Sequence, residues 1–185
     1  LTATLTGGST SATLQWQSGT SASGPWTDIN GATGVTYSAP TAVTGQTFYR
    51  VNVIDPNSGC ATPSSSALSV TVVPDAQVSV SVDNPEVCIG GNATLSAVLT
   101  GGSSSVSLQW QNAPDLGGPW TDIVGETNTT YAAPTNTAGL FYYRVRVVDS
   151  GSGCATPNSS VVSVTVNPDA TISAVVNNAE VCVGG

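Results

Sequence analysis

The sequence contains no lysine, no histidine and no methionine, and its cationic side chains are three arginines. Charged residues make up 8% of the chain and the net charge is −8, whereas about 25% of an ordinary soluble domain is charged. Nucleic acid is therefore not expected as a partner, because neutralising phosphates requires clusters of basic side chains. No apolar run approaches the roughly 20 residues that span a bilayer, so we expect no membrane insertion.

The missing histidine also weighs against catalysis. No nucleophile stands beside a base, and no paired carboxylates lie on neighbouring predicted strands, so we predict that the chain is not an enzyme. The four cysteines are not arranged in CxxC pairs and do not predict a zinc site. Structural disulfides are their expected use, which predicts a location outside the reducing cytoplasm.

The main feature of the sequence is a repeat with a period of 94 residues. The segment LTATLTGGSTSATLQWQ at 1–17 returns as LSAVLTGGSSSVSLQWQ at 95–111. Apolar and polar residues alternate within short runs, as at Val78, Val80 and Val82, and Gly- and Pro-rich turns separate these runs. This period of two predicts strands. The chain is therefore predicted to be all-β, as tandem antiparallel β-sandwiches of about 94 residues each.

The strand count and the placement of Trp indicate sandwiches of the immunoglobulin type. We predict an Ig-like repeat lacking its first strand at 1–74, a complete repeat at 75–168, and the first strand of a further repeat at 169–185. Alternation predicts one core per repeat. The predicted core residues are Leu108, Trp110, Tyr143, Val145 and Val164 in the second repeat, with Leu14, Trp16, Tyr49, Val51 and Val70 as their counterparts.

The order of motifs resembles a known group of surface proteins. Their order is similar to that in the Ig-like repeats of large secreted Bacteroidota adhesins, including the gliding-motility adhesins. The motifs are, in order, VC-[IV]-G-G, LQWQ, PWTDI-x-G, TY, YYRV and GC. The resemblance covers essentially the whole chain. It implies a structural segment of an extracellular filament or adhesin stalk built from head-to-tail Ig-like domains, with similar repeats as partners. The alternative is a glycan-binding accessory module of a secreted enzyme or lectin, with a surface glycan or substratum as partner.

Trp26 and Trp120 occupy the same place in the repeated GPWTDI. Each could present an aromatic platform to a sugar ring. The structural alternative is that each indole packs against its own sheet or covers an edge of the sandwich, and the family resemblance favours this packing.

Arg50 and Arg144 also occupy equivalent positions, on the predicted outward face of a strand. As functional groups they could bind carboxylates or sugar acids. The structural alternative, which we favour, pairs each arginine with an aspartate of its own repeat, such as Asp28 or Asp122, and lays its alkyl stem over the sheet.

Calcium is the one metal that the sequence leaves open. The acidic residues are scattered, with Asp55 and Asp149 before the SGC turns and Asp75 and Asp169 after the linker prolines. A calcium site needs several converging oxygens, and no D-x-D spacing is present. Local Asx-turns are the better account of these aspartates, so we expect no cofactor.

The cysteines predict one bond inside the chain. Cys88 and Cys154 bracket the complete repeat and are predicted to form an intradomain disulfide, whereas Cys60 and Cys182 would have partners outside this segment. Two accounts of these missing partners stay open. Either a longer polypeptide supplies them, or the strand at 169–185 completes the first repeat of another subunit. Both accounts predict that 169–185 is ordered as a strand.

Overall fold

The computed structural model describes residues 1–56 and 59–184, which form strands and no helix. The chain divides into two compact units, unit 1 from Leu1 to Pro74 and unit 2 from Asp75 onwards. Among these residues there is accordingly no helix long and apolar enough to cross a membrane. The strands of unit 1 are β1 (Thr13–Gly19), β2 (Trp26–Asp28), β3 (Gly45–Ile54) and β4 (Leu68–Val72).

Unit 2 is a sandwich of two sheets. Its strands are β5 (Gln77–Val82), β6 (Glu86–Cys88), β7 (Thr94–Thr100), β8 (Ser107–Ala113), β9 (Thr121–Asp122), β10 (Thr130–Ala132), β11 (Gly139–Val148) and β12 (Val162–Asn167). One sheet has the order β10-β7-β5, and the other has the order β6-β12-β11-β8-β9. All pairs are antiparallel except β6 with β12. This strand order is that of an immunoglobulin-like sandwich, which confirms the predicted all-β fold class.

The core of unit 2 lies between its two sheets. Alternate residues of each strand point inward, so β8, β11 and β12 contribute the predicted set Leu108, Trp110, Tyr143, Val145 and Val164, all of which are buried. The opposite sheet closes the core with Leu95 and Ala97 of β7 and with half-buried valines of β5. The prediction of this core is confirmed.

Unit 1 has one four-stranded sheet in the order β2-β1-β3-β4. Leu14, Trp16 and Tyr49 are buried as predicted. Val51 and Val70 are only half-buried, so their predicted full burial is wrong. The reason is that residues 1–74 hold no counterpart of β5 and β6, which cover the equivalent positions in unit 2.

The predicted strand at 169–185 is not formed by residues 169–184, and Gly185 lies outside the described residues. Their apolar side chains are in solvent, with Ile172 99% exposed. A strand is held by hydrogen bonds to a neighbouring strand, and residues 169–184 pair with none of the described strands. That this segment begins a further repeat stays a prediction.

Candidate functional site

The repeated LQWQ motif builds the most elaborate polar cluster of unit 2. Trp110 of β8 points into the core, so its neighbour Gln111 points to the opposite face of the sheet. The strand register places Gln111 beside Arg144 of β11 on one side and beside Asp122 of β9 on the other. Three strands thus bring a cation, an amide and a carboxylate into one row.

Short hydrogen bonds connect this row. Nε of Arg144 donates to Oε1 of Gln111 at 2.7 Å, and Nε2 of Gln111 donates to Oδ1 of Asp122 at 2.6 Å. Arg146, two residues along β11, donates from a terminal guanidinium nitrogen to Oδ2 of Asp122 at 2.9 Å. Gln111 is 6% exposed, and both ends of its amide are paired, as a buried amide requires.

The ring of Trp120 packs on the arginine of this cluster. The guanidinium carbon of Arg144 lies 4.4 Å from the centre of the Trp120 ring, which is the geometry of a cation–π contact. Gly118 lets the chain approach the indole, because a Cβ at Gly118 would lie 2.9 Å from Cδ1 of Trp120. The indole therefore packs on its own unit, as the structural alternative predicted.

Unit 1 repeats the cluster with one difference. Arg50 lies 4.7 Å from the centre of the Trp26 ring, and its Nε donates to Gln17 at 2.6 Å. Gln17 in turn donates to Asp28 at 2.7 Å. Asn52 stands where unit 2 has Arg146, so the second cation is missing from this copy.

The charged form of Asp122 is stabilised by its neighbours in the unit 2 cluster. The hydrogen bond from Gln111 lowers the pKa of Asp122, and the positive charge of Arg146 lowers it further. Burial lowers the pKa of Arg144, with a contribution from the like charge of Arg146. Because arginine titrates far above neutrality, Arg144 stays charged, and the cluster is an ion network at physiological pH.

The predicted direct pairing of Arg50 with Asp28 and of Arg144 with Asp122 is wrong in one respect. In each unit a glutamine stands between arginine and aspartate and joins both. The strand register places the glutamine directly between them, and in unit 2 the direct ion pair with Asp122 comes from Arg146, two residues along β11. The signal in the sequence was the second glutamine of QWQ, which recurs in both repeats.

The aspartates before the SGC turns accept hydrogen bonds from a distant loop. Asp149 accepts hydrogen bonds from the backbone N–H of Ser103 at 3.0 Å and from its hydroxyl at 2.6 Å. Asp55 accepts the equivalent two from Ser9 at 3.0 and 2.5 Å. The hydrogen bonds from Ser103 lower the pKa of Asp149. Hydrogen bonds with Ser152 and Cys154 also lower the pKa of Asp149, so this carboxylate bonds its local turn and joins it to the loop of Ser103.

Metal ligands do not converge in the described part of the chain, where no three His, Cys, Asp or Glu side chains lie together. Asp75, one of the scattered aspartates, accepts a hydrogen bond from the backbone N–H of Ala155 at 2.9 Å. The calcium alternative thus gains no support from residues 1–56 and 59–184.

The predicted disulfide between Cys88 and Cys154 is wrong. Both thiols are free, and the strand register separates them. Cys88 lies opposite Asn167, just beyond the Gly139 end of β11, whereas Cys154 follows the Val148 end. A strand of ten residues spans about 30 Å, and a disulfide requires Cα atoms within about 7 Å. The two cysteines occupy opposite ends of unit 2.

Solved structures of low sequence identity resemble the chain. The structure of the amphioxus IgVJ-C2 molecule is 10% identical, with 89% of this chain and 94% of that chain covered and a TM-score of 0.44. Dscam1 isoform 7.44, N-terminal four Ig domains, is 15% identical, with 85% of this chain and 38% of that chain covered and a TM-score of 0.36. No curated protein matches the chain. The fold assignment rests on the strand order of unit 2.

The family comparison covers both units. Its model matches residues 1–74 and again residues 77–168, so the family unit occurs twice. These boundaries follow the 94-residue repeat and the two compact units. The chain belongs to the family described as Domain of unknown function (DUF8696).

Proposed function

We propose that the chain is a structural segment of an extracellular filament or adhesin stalk at the cell surface, of the Bacteroidota adhesin type, built from head-to-tail Ig-like domains. The observation that carries this proposal is the closed polar cluster on each unit. Gln111 bonds Arg144 and Asp122, and the guanidinium of Arg144 covers the Trp120 ring. In a domain that serves as a spacer, we expect polar side chains to bond one another and stabilise the domain instead of binding a ligand.

The connection between the units also supports a stalk. Residues 73–76 alone join β4 to β5. Pro74 restricts the backbone, Asp75 is bonded to Ala155 of unit 2, and Ala76 is buried in the core of unit 2. The connection is therefore short, which suits repeated units joined head to tail.

The glycan-binding alternative finds less support in the same cluster. A sugar platform requires an open aromatic face, and an arginine lies over one face of Trp26 and of Trp120, at 4.7 and 4.4 Å from the ring centres. The Nε donors of both arginines are already engaged by glutamines. The repetition that a multivalent binder would show serves a spacer equally well.

Two measurements test the proposal. Chains of two and four family units would be compared by small-angle X-ray scattering, and we expect the maximum dimension to grow by about 35–45 Å with each unit. A glycan array that includes acidic sugars would be probed with the wild-type chain and with Trp120→Ala. No binding to any sugar is expected of either protein, and a loss of stability is expected of the variant.

Two outcomes would contradict the stalk. One is a maximum dimension that stays constant as units are added. The other is glycan binding by the wild-type chain that disappears in Trp120→Ala while the circular dichroism spectrum is unchanged. The second outcome would establish the binding module in its place.

A further inference from the structure

The chain after β2 in unit 1 makes a tight turn with Asn30 and Gly31 at its tip. The turn runs from Ile29 to Ala32, and the N–H of Ala32 donates to the carbonyl of Ile29 at 3.0 Å. Gly31 has a φ of +75°, a left-handed conformation that glycine adopts without steric cost. This is the single Asn-Gly pair in the sequence. The turn therefore places an asparagine before a residue that has no side chain.

The two groups of this turn that can react with each other are both unengaged. Asn30 is exposed, and its side-chain amide makes no hydrogen bond to any residue that the structure describes. The backbone N–H of Gly31 likewise has no acceptor within the described part of the chain. A Cβ placed on Gly31 would meet no atom within 4 Å, so the space around the tip is open. Water therefore reaches both groups.

We propose that Asn30 is a modification site, at which the folded chain loses the side-chain amide by spontaneous deamidation. The backbone nitrogen of Gly31 loses its proton and attacks Cγ of Asn30. The new N–Cγ bond closes a succinimide ring, and the side-chain nitrogen leaves as ammonia. Asparagine is among the thermolabile residues of proteins, and the missing side chain of Gly31 leaves its nitrogen unshielded.

Water then opens the succinimide at one of its two carbonyls. Cleavage of the N–Cγ bond gives aspartate at position 30. Cleavage of the original peptide bond gives isoaspartate, in which the main chain runs through Cγ and is longer by one carbon. The complete reaction consumes one water and releases one ammonia for each asparagine. Either product adds a negative charge to a chain whose net charge is −8.

The turn is bonded to the main chain of a core residue. The N–H of Trp16 donates to the carbonyl of Ala32 at 2.9 Å, and the N–H of Ile29 donates to the carbonyl of Trp16 at 2.9 Å. Trp16 itself is buried. Isoaspartate would lengthen the main chain between these two hydrogen bonds. We therefore expect the modification to lower the stability of unit 1.

Unit 2 has the same turn without the reactive side chain. Val124 and Gly125 stand where unit 1 has Asn30 and Gly31. Gly125 has a φ of +83°, and the N–H of Glu126 closes the turn on the carbonyl of Ile123 at 3.1 Å. The two turns thus share a conformation and differ in the side chain that reacts. The inference concerns this difference and is independent of the stalk function.

Asn158 of unit 2 provides an internal comparison, because it also precedes a small residue. The N–H of Ser159 donates to the carbonyl of Val145 at 2.8 Å, and Ser159 is buried. Its nitrogen is therefore engaged and shielded, in contrast to that of Gly31. We expect Asn158 to keep its amide over the time in which Asn30 loses it.

Peptide mapping of the full chain measures the reaction. The folded protein would be incubated at neutral and at mildly alkaline pH, then unfolded and digested with trypsin. Cleavage after Arg50 releases residues 1–50, in which Asn30 is the one asparagine. We expect this peptide to gain one dalton, with fragment ions placing the gain on Asn30. The gain should be faster at the higher pH, because the attacking nitrogen must first lose its proton.

The same chain held unfolded in guanidinium chloride separates the contribution of the fold from that of the sequence. We expect the folded and unfolded chains to lose the amide of Asn30 at similar rates, because the turn leaves both reacting groups open. If the folded chain keeps its amide while the unfolded chain loses it, the turn protects Asn30 and the proposal is overturned. An amide that persists in both states would overturn it as well.

Exchanging the residues of the two turns gives a matched pair of variants. Asn30→Val copies the turn of unit 2 and should abolish the gain in the peptide 1–50. Val124→Asn copies the turn of unit 1 at a side chain that is 96% exposed, and it should create a second site of deamidation in unit 2. After incubation, thermal unfolding should show a loss of stability in the wild type that is absent in Asn30→Val. A gain that survives Asn30→Val, or a folded Val124→Asn chain that keeps its new amide, would overturn the proposal.

Discussion

Unit 1 and unit 2 share one repeated pattern and differ in how completely their cores are closed. Val145 and Val164 are fully buried in unit 2, whereas their counterparts Val51 and Val70 are half-buried in unit 1. The residue types are identical at these positions. The difference shows that burial in a sandwich is set by the facing sheet and not by the strand that carries the residue.

A second difference between the units comes from a substitution. Phe141 packs against the core of unit 2, and Thr47 replaces it in unit 1. An open surface pocket of about 430 Å³ lies at this place in unit 1, lined by Thr47, Tyr37, Tyr49 and neighbouring residues. The smaller side chain of Thr47 thus leaves space next to the core of unit 1.

The largest expected loss of stability is at the core tryptophans, where the two units should behave alike. Trp110→Ala and Trp16→Ala each remove a buried indole whose N–H bonds a backbone carbonyl, at 2.8 Å in unit 2 and 2.9 Å in unit 1. Each change should lower the free energy of unfolding of its unit by about 3–5 kcal/mol. Hydrogen exchange resolved by peptide would assign the loss to the correct unit. A cost below about 1 kcal/mol at either tryptophan would contradict the equivalence of the two cores.

The exchange of Phe141 and Thr47 tests this difference in packing. Phe141→Thr should destabilise unit 2 by about 2–3 kcal/mol, because it empties packed space. Thr47→Phe should stabilise unit 1 by about 1 kcal/mol, because it fills existing space. Urea unfolding of the full chain would measure both. Loss of stability in Thr47→Phe would show that the space in unit 1 does not accept a phenyl ring.

A smaller difference is expected at the equivalent valines. Val145→Ala should cost about 2 kcal/mol and Val51→Ala about half as much, because only Val145 is removed wholly from water. Hydrogen exchange would again separate the units. Equal costs would contradict the difference in burial between the two valines.

The smallest effect concerns pH. Hydrogen bonds from Ser103 lower the pKa of Asp149 below its ordinary value of 3.8, so its stabilising contribution is complete above that pH and is lost as the pH falls through the lowered pKa. Asp149→Asn should therefore be less stable than the wild type at neutral pH. The difference should shrink as the pH is lowered below 3.8.

Asp55→Asn is the matched change in unit 1, because Asp55 accepts the same two hydrogen bonds from Ser9. It should also lose stability at neutral pH. Thermal unfolding of both variants between pH 2 and 7 would measure the effect. A difference between Asp149→Asn and the wild type that grows as the solution is acidified would contradict the assigned role of the carboxylate.

The sequence by itself determined the fold class, the period of 94 residues and the inward residues of the complete repeat. These features depend on alternation along a single strand and on turns between neighbouring strands, which are local properties. The burial of Trp110 and Val145 and the exposure of the opposite face follow from them directly. The packing of Trp120 on its own unit could also be predicted, since both repeats place a tryptophan and an arginine at these two equivalent positions.

Only the tertiary structure decided which groups meet. The register of β8 between β9 and β11 placed Gln111 between Arg144 and Asp122. The parallel pairing of β6 with β12 places Cys88 at one end of unit 2, and Cys154 lies at the other end. In the sequence, however, the two cysteines bracket the same repeat. Such pairings join residues that are distant in the chain, and alternation carries no information about them. Burial of Val51 likewise depends on a facing strand that residues 1–74 do not contain.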